Sequence, residues 1–387
     1  MTASKARAVA AAFLLGAATV CGAGMILSVP AEAASVRPEV GNPLKEAQSL
    51  AAAGNYKAAM EKVNQANAVS NKDADEISII AQMKQYIAVK SGDVSIGGAV
   101  AAKAKFTNDY NARKYNDVIA DGELLKKSGA LDVASQQVVA QAYYLSGDKK
   151  GCIKYIKTNF GNGASDPTLE LLVRCAYDAN DDETQRQTLE SLVAHTGKPE
   201  YWNNLLKLSE HGQGMRDHDS LDIYRLKLLT GTISGKDEYI TLAQLAIQLG
   251  FPAEAQAVIE KGQAAKILND ERTNRLLARA KSDATADAAG LSKSLAAANA
   301  APKGDALVKI GEDQWGQNKA KDAIETIKAG MAKPLDDKNN AQIRLGMAYI
   351  AAGQKADAQK ALDAVKPANP SDKSAMVAHL WSLYARH

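Results

Sequence analysis

Leu345-Gly346-Met347-Ala348-Tyr349-Ile350-Ala351-Ala352-Gly353-Gln354-Lys355-Ala356-Asp357-Ala358 is the stretch that decides the fold. An apolar run reaches a glycine suited to a tight turn, and a small residue follows on what reads as a second helix. Stepping backward from Ala358 meets Ala323, Ala289, Ala255, Ser220, Gln185, Cys152 and Val118, at spacings of 35, 34, 34, 35, 35, 33 and 34, and then Ala59 after 59. Four residues further on runs a larger column, Leu362, Ile327, Ile259, Tyr224, Leu189, Ile156 and Val63, with Lys293 and Gly122 as defects. Four residues is one helical turn, so the two columns share a face. A third column lies about twelve residues upstream of the first: Gly346, Gly311, Leu277, Ala243, Leu208, Val173, Ala140, Phe106 and Ala47. Turn-forming residues stand between the third and first columns, as at Gly54-Asn55, Ser146-Gly147-Asp148, Asn180-Asp181-Asp182 and Gly250-Phe251-Pro252. Each period of about 34 is therefore expected to hold two antiparallel helices.

The residues around these columns resemble the tetratricopeptide repeat (TPR) family. The best matches are Leu345-Gly346 with Tyr349, Gly353, Ala358 and Pro370, then Gly54-Asn55-Tyr56 with Ala59, and Tyr143 with Gly147-Asp148. Gln185, Ser220, Gly122 and Lys293 depart from the family's small or apolar preference, so the middle repeats are degenerate. The resemblance implies an all-α, right-handed solenoid of stacked helix-turn-helix repeats over 34–371, about nine pairs in all. The spacing of 59 marks an irregular segment at about 70–112, where Asp75 to Val89 and Val94 to Asp109 are predicted helices. Met376, Leu380, Trp381 and Tyr384 make 372–387 a capping helix over the end of the stack.

Composition agrees with helices. The 387 residues are 46% hydrophobic yet only 5% aromatic, which leaves room for a large core and excludes a small disulfide scaffold or a disordered chain. A net charge of +3 is too small to demand nucleic acid. Residues 1–33 carry Lys5 and Arg7, an apolar stretch from Ala8 to Val29, and the small-residue site Ala31-Glu32-Ala33. That is the layout of a cleaved signal peptide, which places the body in the periplasm; the rival is a retained membrane anchor. Cys21 would leave with the signal. Cys152 and Cys175 remain, and a disulfide between them and two buried free thiols both stay open.

No catalytic constellation emerges. Glu210-His211-Gly212-Gln213-Gly214-Met215-Arg216-Asp217-His218-Asp219 is the sharpest metal candidate, but its histidine spacing of seven fits no metal motif. It reads as a solvated loop between two helices, and His195, His379 and His387 as scattered surface or cap residues. Glycine-rich runs lack a phosphate-loop lysine, so neither a cofactor nor an enzyme is expected. In TPR-like stacks the first helices of successive repeats line a concave groove. One residue past the third column stand Gln141, Arg174, Gln244, Glu312 and Met347, with Tyr144, Tyr177, Trp202 and Trp315 elsewhere on those helices. These are the expected contacts for an extended or helical segment of a protein partner. The resemblance thus implies a scaffold or adaptor of the cell envelope. A glycan-binding scaffold in polysaccharide or peptidoglycan handling is the alternative, and self-association through the end repeats is a third reading.

Overall fold

The computed structural model describes residues 36–210, 214–369 and 371–387. The expected signal segment 1–33, Cys21, His211 and Pro370 lie outside them. The described residues form α-helices and one short 3₁₀ turn, with no strand. They divide into two compact units, up to Gln136 and from Gln137 to His387.

The first unit holds α1 (Pro38–Ala52), α2 (Tyr56–Ala68), α3 (Ala74–Ser91), α4 (Val94–Asn111) and α5 (Tyr115–Lys127). Its core joins Val40, Leu44 and Ala47 of α1 to Ala59 and Val63 of α2 and to Ile80, Met83 and Ile87 of α3. The wide spacing of 59 has a simple cause. Helices α1–α2 and α4–α5 carry the third and first columns at Ala47 and Ala59, then Phe106 and Val118, and α3 is a surplus helix between them. Helix α4 is broken at Gly98, whose φ of 53° lies in the left-handed region. The buried carboxylate of Glu76 ties α3 to the start of α1, accepting from Arg37 Nε at 2.9 Å and Nη2 at 2.8 Å.

The boundary falls within α6 (Val133–Leu145). The second unit continues with α7 (Lys149–Asn159), α8 (Asp166–Asp178), α9 (Asp182–Thr196), α10 (Pro199–Ser209) and α11 (Asp217–Leu229). Then come α12 (Gly235–Leu249), α13 (Pro252–Ala264), α14 (Glu271–Ala300), α15 (Asp305–Gly316), α16 (Ala320–Met331), α17 (Lys338–Ala351), α18 (Lys355–Asp363) and α19 (Ser374–Ala385). Successive helices pair as hairpins, and Cys152 of α7 is disulfide-bonded to Cys175 of α8. The column logic is visible in contact: a Cβ added to Gly346 would meet Leu362 Cγ at 2.6 Å, and one at Gly311 would meet Ile327 Cγ1 at 2.5 Å. The third-column glycine is the notch for the second-column aliphatic side chain.

One expected pair is a single helix. The turns within hairpins use a residue at positive φ: Gly54, Arg113, Gly147, Asn180, Gly250, Asn318 and Gly353. Between Leu277 and Ala289 the chain reads Ala278-Arg279-Ala280-Lys281-Ser282-Asp283-Ala284-Thr285-Ala286-Asp287-Ala288, with nothing that favours that conformation. Strong helix formers carry α14 straight through for 30 residues, with Ala289 and Lys293 exposed. The described helices therefore make eight pairs, not nine, together with α3, α14 and α19.

Candidate functional site

Two groups of expected contact residues separate in the structure. On α10, α15 and α17, Trp202, Glu312 and Met347 are interior and Trp315 is half-buried. Trp202 is 2% exposed and packs edge-to-face on Tyr384 of α19, with ring centroids 6.3 Å apart. Met347 is buried among residues of α9, α10, α11 and α19. Trp315, half-buried, packs edge-to-face on Trp381 at 6.1 Å. Trp202 and Met347 are not open to a partner, because the faces that carry them are already covered, while Trp315 keeps part of its surface exposed. Helix α19 is apolar over most of its surface, His379 excepted, and packs on α17 and α18 as well as on α9 and α11.

Glu312 is a correction of another kind. It is 2% exposed and sits in a buried charge cluster with Asp222, Arg225, Glu254 and Arg344. Arg225 donates to Glu312 at 2.7 Å, to Asp222 at 2.9 Å and to Glu254 at 2.6 and 2.7 Å. Arg344 donates to Asp222 Oδ2 at 2.7 Å and lies 3.2 Å from Glu312. Burial opposes ionisation of Asp222, but the two guanidiniums, Arg344 foremost, hold it below the ordinary carboxylate range. Four helices, α11, α13, α15 and α17, meet on this cluster. Sequence periodicity gives charged residues to the surface by default, so Arg225 and Arg344 were invisible to it; the signal was their position inside the largely apolar runs Leu221 to Leu229 and Ile343 to Ile350.

The metal candidate dissolves into the same packing. Glu210 pairs with Lys227, and Arg216 donates to Asp219 at 2.9 Å. His218 and Asp219 lie in the first turn of α11, not in the loop, with His218 edge-to-face on Phe251. Burial, and Arg344 after it, push the His218 pKa down. Among the described residues no group of three or more His, Cys, Asp or Glu side chains could hold a metal ion.

On α6, α8 and α12 the expected residues stay at the surface. Tyr177 is 67% exposed, Arg174 and Gln244 are exposed, and Gln141 and Tyr144 are half-buried. The Arg174 guanidinium lies 5.9 Å from the Tyr144 ring centroid, and Lys149 Nζ lies 3.5 Å from it. Burial, with a hydrogen bond to Asp178, raises the Tyr144 pKa, so the phenol stays protonated at neutral pH. Asp178 also lies 3.8 Å from Lys149. Arg174 and Tyr177 are three residues apart on α8 and so share its face, and Leu145, 47% exposed, follows Tyr144 directly. The result is an exposed aromatic and cationic surface, and α8, which carries Arg174 and Tyr177, is tied to α7 by the Cys152–Cys175 bond.

No family model matches the sequence, and no curated protein matches it. Among solved structures the chain is similar to a tetratricopeptide repeat protein from Parabacteroides merdae, with 13% identity over 80% of this chain and 98% of that one, at a TM-score of 0.25. It is similar to the APC/C hetero-tetramer Cut9–Hcn1, with 12% identity over 83% of this chain and 65% of that one, at a TM-score of 0.22. It is also similar to Naa15/Naa10 bound to HypK-THB, with 13% identity over 84% of this chain and 58% of that one, at 0.22. The all-α repeat architecture itself rests on the helix order and the buried columns.

Proposed function

We propose that this chain is a protein-interaction scaffold that captures a segment of a partner on the face of α6 and α8 formed by Tyr144, Arg174 and Tyr177. The observation that carries the proposal is Tyr177, a large aromatic side chain 67% exposed beside an exposed arginine. Tyrosine and arginine are the residue types that most often anchor interfaces, since each offers a broad apolar surface with a directional polar end. The disulfide that ties α8 to α7 limits the ordering cost that the scaffold pays on binding. We place the scaffold in the cell envelope. The signal-like layout of residues 1–33 supports that placement, as does the Cys152–Cys175 bond, since disulfides persist in oxidising compartments.

The test is affinity capture of the tagged full-length protein from its native envelope after mild crosslinking, beside a variant carrying Arg174→Ala and Tyr177→Ala. Neither side chain contributes to the core, so the variant should unfold at the wild-type temperature. One dominant protein recovered by the wild type and reduced at least about tenfold by the variant supports the scaffold. Equal recovery by both removes α6 and α8 from the interface.

A further inference from the structure

The second unit carries another surface, remote in sequence from α6 and α8. Between α12 and α14 lies a cleft of about 260 Å³, lined by Ile240 and Gln244 on one side and by Arg272, Arg275, Leu276 and Arg279 on the other. The three arginines stand at positions i, i+3 and i+7 of α14, which aligns them in one stripe about 10 Å long. Their present partners are weak. Arg275 pairs with Glu271 at 2.6 Å and Arg279 with Asp283 at 3.5 Å, each arginine side chain 68% exposed, and exposed pairs along a helix exchange readily with solvent. Arg272 makes no ion pair among the described residues. Leu276 lies within the stripe and Ile240 faces it across the cleft, giving the charged rim an aliphatic floor. The long α14 buries only Thr273, Ala280 and Ala298, so the rod that bears the stripe is open along most of its length.

We infer that this cleft docks an acidic amphipathic helix of a partner protein. The spacing selects a helix. Carboxylates at i, i+4 and i+7 of a helix laid antiparallel to α14 repeat at the same rise as the arginines, and the intervening apolar positions fall on Ile240 and Leu276. An extended chain presents same-side residues about 6.8 Å apart, while the first two arginines are separated by about 4.5 Å along the axis. A phosphate polymer matches the charge and leaves the aliphatic floor without a use. Gln244, also in the lining, offers a neutral donor and acceptor. The inference goes beyond the α6–α8 surface and does not depend on it.

The experiment uses fluorescence anisotropy with the full chain and two labelled synthetic peptides of about 18 residues. One carries glutamates at i, i+4 and i+7 with leucines between them; the other has the same composition in an order that breaks the helical face. The patterned peptide is expected to bind at least about tenfold more tightly than the scrambled one, and to weaken by a similar factor between about 50 and 500 mM salt. The triple variant R272E/R275E/R279E, and the milder R272Q/R275Q/R279Q, should each lose that binding while unfolding at the wild-type temperature. Arg174→Ala with Tyr177→Ala should retain it, which separates this cleft from the other face. Equal binding of the two peptides overturns the inference. So does unchanged binding by a folded triple variant.

Discussion

Arg344→Met is the sharpest perturbation of the second unit. Arg344 is 2% exposed and shares Asp222 with Arg225, while Glu312 lies 3.2 Å away. The wild-type cluster sets two guanidiniums against three carboxylates, Asp222, Glu254 and Glu312. Removing Arg344 leaves one guanidinium for all three, in a place where water cannot screen them. At an effective dielectric of about 20, one such contact near 4 Å is worth about 4 kcal/mol. Loss of one partner of a buried pair costs about 3–5 kcal/mol. Methionine keeps most of the aliphatic stem, so cavity formation adds little. For a unit of this size each kcal/mol lowers Tm by about 2–4 °C, which gives a drop of roughly 6–20 °C. Circular dichroism melts and urea titrations of wild type, Arg344→Met, Asp222→Asn and the double variant measure it. Asp222→Asn removes the charge that Arg344 serves, so the double variant should be more stable than Arg344→Met alone, with a coupling of about 2 kcal/mol or more. A loss below about 1 kcal/mol, or single effects that simply add, would refute the idea that this cluster holds α11, α13, α15 and α17 together.

Three further outcomes are expected. The Glu76 carboxyl is held at about 2 by its hydrogen bonds from Arg37, below its ordinary 4.5. A depressed acid pKa stabilises the fold above the unfolded value, so the first unit should lose stability as pH falls from about 4.5 toward 2, and Glu76→Gln should flatten that part of the profile in acid titrations followed by circular dichroism. Reduction of the Cys152–Cys175 bond, or its replacement by alanines, releases a loop with a sequence separation of 23, which in the chain-entropy account costs about 3 kcal/mol and is read from urea midpoints with and without reductant. Gly346→Ala places a Cβ 2.6 Å from Leu362 Cγ; the overpacking cost of about 1–3 kcal/mol exceeds the helix-propensity gain of about 1 kcal/mol, so Tm should fall, and Leu362→Ala in the same chain should cancel most of the steric part.

Particular residues show how far the sequence could be read. Ala59, Val118, Cys152, Ala255, Ala323 and Ala358 are buried in the structure, and their period alone located the hairpins. Periodicity failed at α14, because a column records which residues would pack if the chain turned, while the turn itself needs a residue that tolerates positive φ. It failed again for the contact surface. The rule of one residue past the third column yields Arg174 and Gln244 at the surface, where both side chains stay exposed. It yields Glu312 and Met347 in the interior, where α19 and the charge cluster occupy that face. Whether a face is covered depends on contacts between residues more than a hundred positions apart, such as Asp222 with Arg344, and a local pattern carries no trace of them. The apolar character of most of Ser374 to Ala385, interrupted by His379, was the available clue that α19 is enclosed on more than one side.

The most direct test of the central claim is a photo-crosslinking residue placed at Tyr177 in the full-length protein, beside a control at exposed Glu61 of α2, with both irradiated in the native envelope. The account expects a discrete heterologous protein joined at position 177 and absent at 61. Products at 177 that consist only of the protein itself, or that match those at 61, would contradict it.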